Sequence, residues 1–265
     1  LRNGNTGIGT VNPAAKLHVA DSAVLFTGSP TILNVGTNYN QAPPAEGVGT
    51  RMMWYPVRGA FRSGFVNGLQ WNKDSIGILS FATGYNTKAM SFYSFASGEQ
   101  TQASGFSAFS SGQNTEASGD ASFSAGLGTF AKAIGGFSIG VYNDSSDYPS
   151  PLNTNAGDRI FQIGNGNQNT GLRSNAVTVL RNGNIGLGIT APNAPLQFAN
   201  TGDIRKIVLY DVNNNNHQYY GLGINTSTLR YQIAEVGASH KFYAGTSSTT
   251  SDLLFEVNGL GNAWL

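Results

Sequence analysis

"GEQTQASGFSAFSS", residues 98–111, is followed at once by "GQNTEASGDASFSA", residues 112–125, and the second string repeats the first in outline. Glycine recurs at Gly84, Gly98, Gly112, Gly126 and Gly140, each fourteen residues after the last. Phe81, Phe95, Phe109, Phe123 and Phe137 stand three residues before these glycines; Thr87, Thr101, Thr115 and Thr129 stand three after, and Ala89, Ala103, Ala117 and Ala131 five after. A fixed period marks a repeat architecture in which each copy is one unit stacked on its neighbour. Fourteen residues also approximate four helical turns, but Gly, Ser and Thr fill most positions and would each cost a helix ~0.5–1 kcal/mol.

A β-coil fits better. Each repeat then makes two short strands and two turns, and Gly84, Gly98, Gly112, Gly126 and Gly140 are expected to set a turn, where the backbone needs positive φ or close approach. Coils stack about 4.8 Å apart, so every column becomes a ladder. In "FASG" and "FSSG" the Phe and the residue before Gly share one face, while Ala96 or Ser110 points to the other. A coil this thin cannot enclose a phenylalanine, so the small column fills its interior and the Phe column lies outside. Each buried Phe is worth ~1.5–3 kcal/mol, and an exposed row of them marks an interface. Chains packed around a shared axis would cover the row; the expected assembly is a threefold rod with a trimer core built from the five Phe.

Composition agrees with an all-β protein. Charged residues make up 11% of the 265 residues, and 35 glycines stand among abundant Ser, Thr and Asn, which disfavours long helices. The formal net charge is +1 without a dense Lys/Arg cluster, so nucleic acid is not an expected partner. No apolar run reaches the length of a membrane span, so membrane insertion by this segment is not expected either. Cysteine is absent, which excludes disulfides and thiolate metal sites. No cofactor is expected. A flexible Ser/Gly linker would not hold aromatic columns in register, and the Asp column of a calcium-binding β-roll is missing.

"ASGFSAFSSGQNTEASGDASFSAG" resembles the head repeat of trimeric autotransporter adhesins of the YadA type. The resemblance implies a left-handed parallel β-roll over residues 75–141, resuming at "FQIGNGNQNT", where Phe161 and Gly164 restore the spacing. Phe stands where those adhesins carry smaller aliphatic residues, which implies a wider threefold core.

A second repeat frames the first. "LRNGNTGIGTVNPAAKLHVA" at Leu1 recurs as "LRNGNIGLGITAPNAPLQFA" at Leu180 with eleven of twenty positions identical, and "VNGLGNAW" from Val257 is a truncated echo. Each copy reads as an Asn-Gly turn, a short Ile/Leu-Gly strand, a proline and an alternating strand at Leu17–Val19 or Leu196–Phe198. A dinucleotide loop would need a following helix, which is missing. "NGNIGLGITAPNAPLQF" instead resembles the GNxGIGT motif of trimeric shafts in phage and phage-like tail fibres and in surface proteins of Bacteroidetes type. "LFEVNGLGNAWL" further resembles the segment upstream of an S74-type intramolecular chaperone, which would lie beyond Leu265 and trimerise the fibre.

The expected organisation is a shaft motif over 1–37, an aromatic cap or insertion over 38–74, a β-roll over 75–170 with a loop insertion at 142–159, a second shaft motif over 171–200, a small antiparallel β-domain over 201–256, and over 257–265 the start of a linker to the chaperone. The 38–74 segment concentrates Trp54, Tyr55, Phe61, Phe65 and Trp71 beside Arg51, Arg58 and Arg62. These aromatics either cap the open end of the roll or stack on a receptor. Pro149 and Pro151 forbid ladder pairing in the insertion, which places Tyr142 and Tyr148 on an extruded loop. His217, Tyr219 and Tyr220, beside "NNNNHQ", are further receptor candidates.

Catalysis has little support. His18, His217 and His240 are dispersed, and Gln197 replaces His18 in the second shaft motif. A polysaccharide-cleaving tailspike would need paired carboxylates, for which Asp158, Asp203, Asp211 and Glu235 are the candidates. The expectation is a non-enzymatic, extracellular, homotrimeric fibre that attaches to a cell-surface glycan or protein. Its forms would be the tail fibre of a phage or phage-like contractile injection system, joined to a baseplate, or a cell-anchored surface adhesin.

Overall fold

The structure is a computed structural model that describes residues 4–20, 23–28, 41–150, 153–202 and 204–264. It is all-β and divides into two compact units, residues 1–196 and 197–265. The first unit is built on a β-solenoid of stacked parallel coils. Strands Phe81–Tyr85, Phe95–Glu99, Phe109–Gln113, Phe123–Leu127 and Phe137–Val141 pair in parallel, with Phe opposite Phe and Gly opposite Gly at every step. A second ladder joins the two-residue strands Lys88–Ala89, Gln102–Ala103, Glu116–Ala117 and Phe130–Ala131.

Four small columns fill the coil interior. Ala82, Ala96, Ser110, Ser124 and Ser138 point inward from the long strands and meet Thr87, Thr101, Thr115 and Thr129, the alanines of the short strands, and Ser80, Ser94, Ala108 and Ser122, all buried. Only small side chains fit between walls this close, so alternation sorts the aromatics outward. The interior is partly polar, and its hydroxyls bond each other where chemistry permits: Ser110 Oγ meets Thr115 Oγ1 at 2.8 Å and Ser124 Oγ meets Thr129 Oγ1 at 2.9 Å.

The repeat glycines do not form the turns. Each is the fourth residue of a five-residue strand, where Gly98 at φ 107° lies so close to the next coil that a Cβ would come 2.1 Å from the Gly112 carbonyl oxygen. The corners instead use left-handed residues in two further columns: Asn86, Gln100, Asn114, Gly128 and Tyr142, and Leu79, Tyr93, Ser107, Ala121 and Gly135. Coil-to-coil hydrogen bonds such as Gln100 N–H to Tyr85 O at 2.8 Å and Ser107 N–H to Phe92 O at 2.9 Å hold these corners, overriding the residue preferences that confine most side chains to negative φ.

Both ends of the stack turn antiparallel. Gly49–Tyr55 and Ala60–Val66 form a hairpin around Pro56–Arg58, and Ala60–Val66 continues the parallel ladder by placing Phe61 opposite Phe81. Beneath it Met53, Tyr55, Ala60, Val66, Trp71 and Ile76 make a compact cluster, with Trp71 Nε1 donating to Thr87 O at 2.9 Å. At the other end the chain leaves the solenoid after Val141 and returns with Arg159–Asn165, which puts Phe161 opposite Phe137. Asn175–Leu180 and Ile185–Leu187 then close that end as antiparallel strands.

The two shaft motifs share one local fold. Asn5 Nδ2 donates to Pro13 O and Thr6 N–H to Lys16 O; at the matching positions Asn184 Nδ2 donates to Pro192 O and Ile185 N–H to Pro195 O. The echo keeps the turn: Gly261 N–H donates to Asn258 O at 3.0 Å as Gly183 N–H donates to Leu180 O at 2.9 Å. The segment expected as the start of a linker thus contains a further strand, Ala263–Trp264, paired with Glu256 and Val257.

The second unit holds two three-stranded antiparallel sheets. One joins Arg205–Asp211, Tyr219–Asn225 and Thr228–Gln232; the other joins Ser239–Gly245, Ser251–Asn258 and Ala263–Trp264. Among its described residues the buried apolar side chains are Tyr219 and Ala234.

Candidate interaction face

The outward face of the long strands is the most regular surface of the chain. Phe61, Phe81, Phe95, Phe109, Phe123, Phe137 and Phe161 stack ring on ring, with centroids 4.6–5.6 Å apart and planes within 19°. The five expected trimer-core phenylalanines are therefore the middle of a longer ladder. Strand pairing extends the same column to Trp54, opposite Phe61, and to Val179 and Ile185 beyond Phe161. Ten rungs at strand spacing span about 43 Å. Each stacked pair contributes ~0.5–1.5 kcal/mol beyond its area, yet Trp54, Phe137 and Ile185 remain 37–40% exposed.

Beside this column runs a second, Met52, Ser63, Thr83, Ser97, Ser111, Ala125, Ile139, Ile163, Val177 and Leu187, which after Met52 is polar as far as Ser111 and aliphatic from Ala125 onward. Ser97 Oγ donates to Ser111 Oγ at 2.9 Å along it. In the second unit Arg205–Asp211, Ser239–Gly245 and Ser251–Asn258 expose apolar side chains on both faces. Ile207, Val208, Leu209 and Tyr210 are consecutive and 36–79% exposed, and Phe242, Tyr243, Leu253 and Leu254 are 47–58% exposed.

The receptor candidates read from the sequence separate into distinct environments. Trp54 lies on the ladder face, and Phe61 is a ladder ring rather than part of a separate aromatic insertion. Tyr55 and Trp71 are buried, Tyr55 with its hydroxyl on Gln41 O, so both serve packing and present nothing to a receptor. Tyr219 is likewise fully buried, whereas Tyr220 is half-buried and His217 exposed. Tyr148 is 94% exposed with Lys132 Nζ 5.2 Å from its ring centroid. Tyr142 lies under the Arg173 guanidinium, which also stacks over Phe130 at 4.3 Å and donates to Gly128 O and Asn143 O.

Charge is used structurally around the solenoid. Arg62 occupies the interior column, fully buried, and donates to Ser80 Oγ and to the carbonyls of Phe61, Ser80 and Ala89. Burial, and then the neighbouring positive Arg58, push its guanidinium down to about 9. Arg159 pins the excursion through Asp144 at 2.5 Å and Asp147 at 3.6 Å. Burial pushes the Asp144 carboxyl up, but the Ser146 hydroxyl and amide and the Arg159 guanidinium outweigh it and hold the group below its usual range. Burial dominates at Asp147 and raises it.

The carboxylates considered for hydrolysis are engaged locally: Asp158 binds Arg181 and the Asn155 amide, and Asp211 binds Arg205. Asp203 lies outside the described residues. Among the described residues no group of three or more His, Asp or Glu could hold a metal ion. His217, Glu235 and His240 do line one open cleft of about 490 Å³ in the second unit. Sequence reading missed a further aromatic group, Phe92, Tyr93 and Phe106: Phe92 and Phe106 keep the fourteen-residue step, but their column changes to Asp120 in the next coil and Tyr93 gives way to Ser107. No known protein family matches the chain, and comparison with curated proteins and with solved structures gives no match.

Proposed function

We propose that the chain is one protomer of a homotrimeric extracellular fibre that attaches to a cell surface, as the receptor-binding tail fibre of a phage or phage-like contractile injection system does. The observation that carries this reading is the pairing of a rigid parallel solenoid with apolar faces that one chain leaves open. The ladder from Trp54 to Ile185 and the strands of the second unit present Phe, Tyr, Leu, Ile and Val to solvent, in a quantity that soluble monomers do not carry and that marks an interface. Threefold packing of left-handed rolls, phenylalanines inward, would cover the ladder.

Attachment follows from repetition. A stiff trimer presents three copies of every loop at fixed separation, so weak individual contacts add through effective concentration. The excursion at 142–159, held by Arg159, Lys132 and Arg173 on a rigid wall, suits such presentation. The test is binding of the purified, labelled protein to a panel of bacterial and eukaryotic cells, alongside a ladder variant, Phe109→Asp with Phe123→Asp, that cannot assemble. Retention on a subset of cells by the assembled protein, lost in the variant, is expected. An assembled protein that adheres to no cell, or a single chain that adheres equally well, overturns the reading.

A further inference from the structure

A second aromatic surface lies outside the ladder. Two residues before each ladder Phe, the coil turns through a left-handed residue, and at this corner Phe92, Tyr93 and Phe106 gather. Tyr93 and Phe106 pack edge to face at 5.3 Å, and Phe92 and Phe106 lie 6.3 Å apart with planes 27° from parallel. Leu79 and Met90 border them, and the five side chains are 39–52% exposed. The same columns continue into Ser104, Ser107 and then Asp120, whose carboxylate accepts the Phe106 amide. Up to Asp120 these positions carry no charge.

The stack holds this corner left-handed, Tyr93 N–H donating to Ile78 O at 2.9 Å, but does not dictate which side chain stands there. Tyr93 sits at φ 58° and Leu79 at φ 52°, in the left-handed region, while the corresponding residue two coils after Ser107 is Gly135 at φ 62°. A bulky residue is uncommon in that region, and the coils that carry Leu79 and Tyr93 place one there. Neither ring contributes to the solenoid interior, which is complete without them.

We propose that Phe92, Tyr93 and Phe106 form a platform for a neutral oligosaccharide. Sugar rings offer one face of weakly positive C–H bonds, which fits the negative face of an aromatic ring, and the hydroxyls of Tyr93, Ser104 and Ser107 stand beside it to bond sugar hydroxyls. Size argues against a second copy of the chain: about half of the 150–250 Å² such rings can bury amounts to about 300 Å² for the three rings, below the ~800 Å² per partner of a stable protein interface. The absence of charge in the patch favours a neutral glycan over an acidic one. The proposal deepens the attachment reading and rests on it.

The test uses the full chain in its assembled state on a printed panel of neutral tri- to hexasaccharides of hexoses and N-acetylhexosamines, with sialylated and uronic-acid glycans alongside. Binding to a subset of neutral glycans is expected, reduced at least tenfold by Tyr93→Asn and by Phe106→Ser. Asparagine tolerates the left-handed corner, so Tyr93→Asn should keep or raise the melting temperature while binding is lost. Unchanged glycan binding in both variants, binding only to acidic glycans, or no glycan binding by a protein that still adheres to cells each overturns this site and leaves attachment standing. A change of assembled mass in either variant would assign the patch to contacts between copies and overturn it as well. Failure to adhere to any cell overturns the attachment reading itself.

Discussion

Adding one hydroxyl to the solenoid interior should stabilise it. In the coils that carry serine at the second strand position, Ser110 and Ser124 satisfy Thr115 and Thr129 at 2.8 and 2.9 Å. In the coils that carry Ala82 and Ala96, the facing Thr87 and Thr101 hydroxyls are buried without a partner. An unsatisfied buried hydroxyl costs ~1–3 kcal/mol, and a hydrogen bond formed in its place contributes ~0.5–1.5 kcal/mol. The column already accepts serine at the next rung, Ser110, in the same backbone geometry, so Ala96→Ser needs no rearrangement and should gain ~1 kcal/mol, which at this chain length is about 2–4 °C in Tm.

A double-mutant cycle removes the ambiguity of a single substitution. Thr101→Val deletes the orphan hydroxyl at nearly constant volume and should be neutral or stabilising in the parent chain. In the Ala96→Ser background the same change should be destabilising, because it strands the new serine. The assay is differential scanning calorimetry at matched protein concentration. If Thr101→Val is destabilising in the parent and Ala96→Ser has no effect, the Thr101 hydroxyl already has a partner and the account of the interior is wrong.

Three further outcomes follow from the same geometry. Gly112→Ala places a Cβ 2.1 Å from Gly126 O at φ 115° and should disrupt the ladder, read as protease sensitivity between residues 95 and 140, whereas Gly135→Ala, with open space around its Cβ, should cost only the ~1–2 kcal/mol of a left-handed alanine. Asp144 titrates below the unfolded value, so its contribution is present above about pH 4 and is lost as pH falls through the folded value; the protection factors of the excursion's amides against hydrogen exchange should fall with acid in the wild type and be low and less pH-dependent in Asp144→Asn. Arg62, lowered to about 9, binds fewer protons folded than unfolded above that pH, so wild type should gain stability relative to Arg62→Met as pH rises from 8 to 11, and a flat difference in denaturant midpoint would show that Arg62 keeps its proton in the folded chain and contradict the lowering.

The parts of the fold that the sequence revealed are those that repeat. The Phe-to-Gly spacing exposed the coils and, across a 24-residue interval, the return at Phe161. The same F-x-x-G spacing in "FRSG" marks Phe61 as a rung, but a 20-residue step to Phe81 and the neighbouring arginines made that stretch read as a separate surface. Arg62 was opaque for a physical reason: a guanidinium in a strand reads as solvated, and only the stacked carbonyls of Ser80 and Ala89 give it a buried home. The left-handed corners were equally hidden, since Gln100, Ser107 and Ala121 carry no local preference for positive φ and the coil-to-coil hydrogen bonds impose it. The Phe92, Tyr93 and Phe106 surface was hidden because its columns keep the fourteen-residue step but not the residue type, Phe106 giving way to Asp120 and Tyr93 to Ser107.

The most direct test of the proposed assembly is the mass of the folded particle in solution, by sedimentation equilibrium across a range of concentrations and by native mass spectrometry. If the ladder and the second unit close against copies of themselves as proposed, a chain of 27.9 kDa should sediment as three chains, with Phe109→Asp and Phe123→Asp shifting it toward single chains. A wild-type particle of one chain that is monodisperse and cooperatively folded would contradict the account.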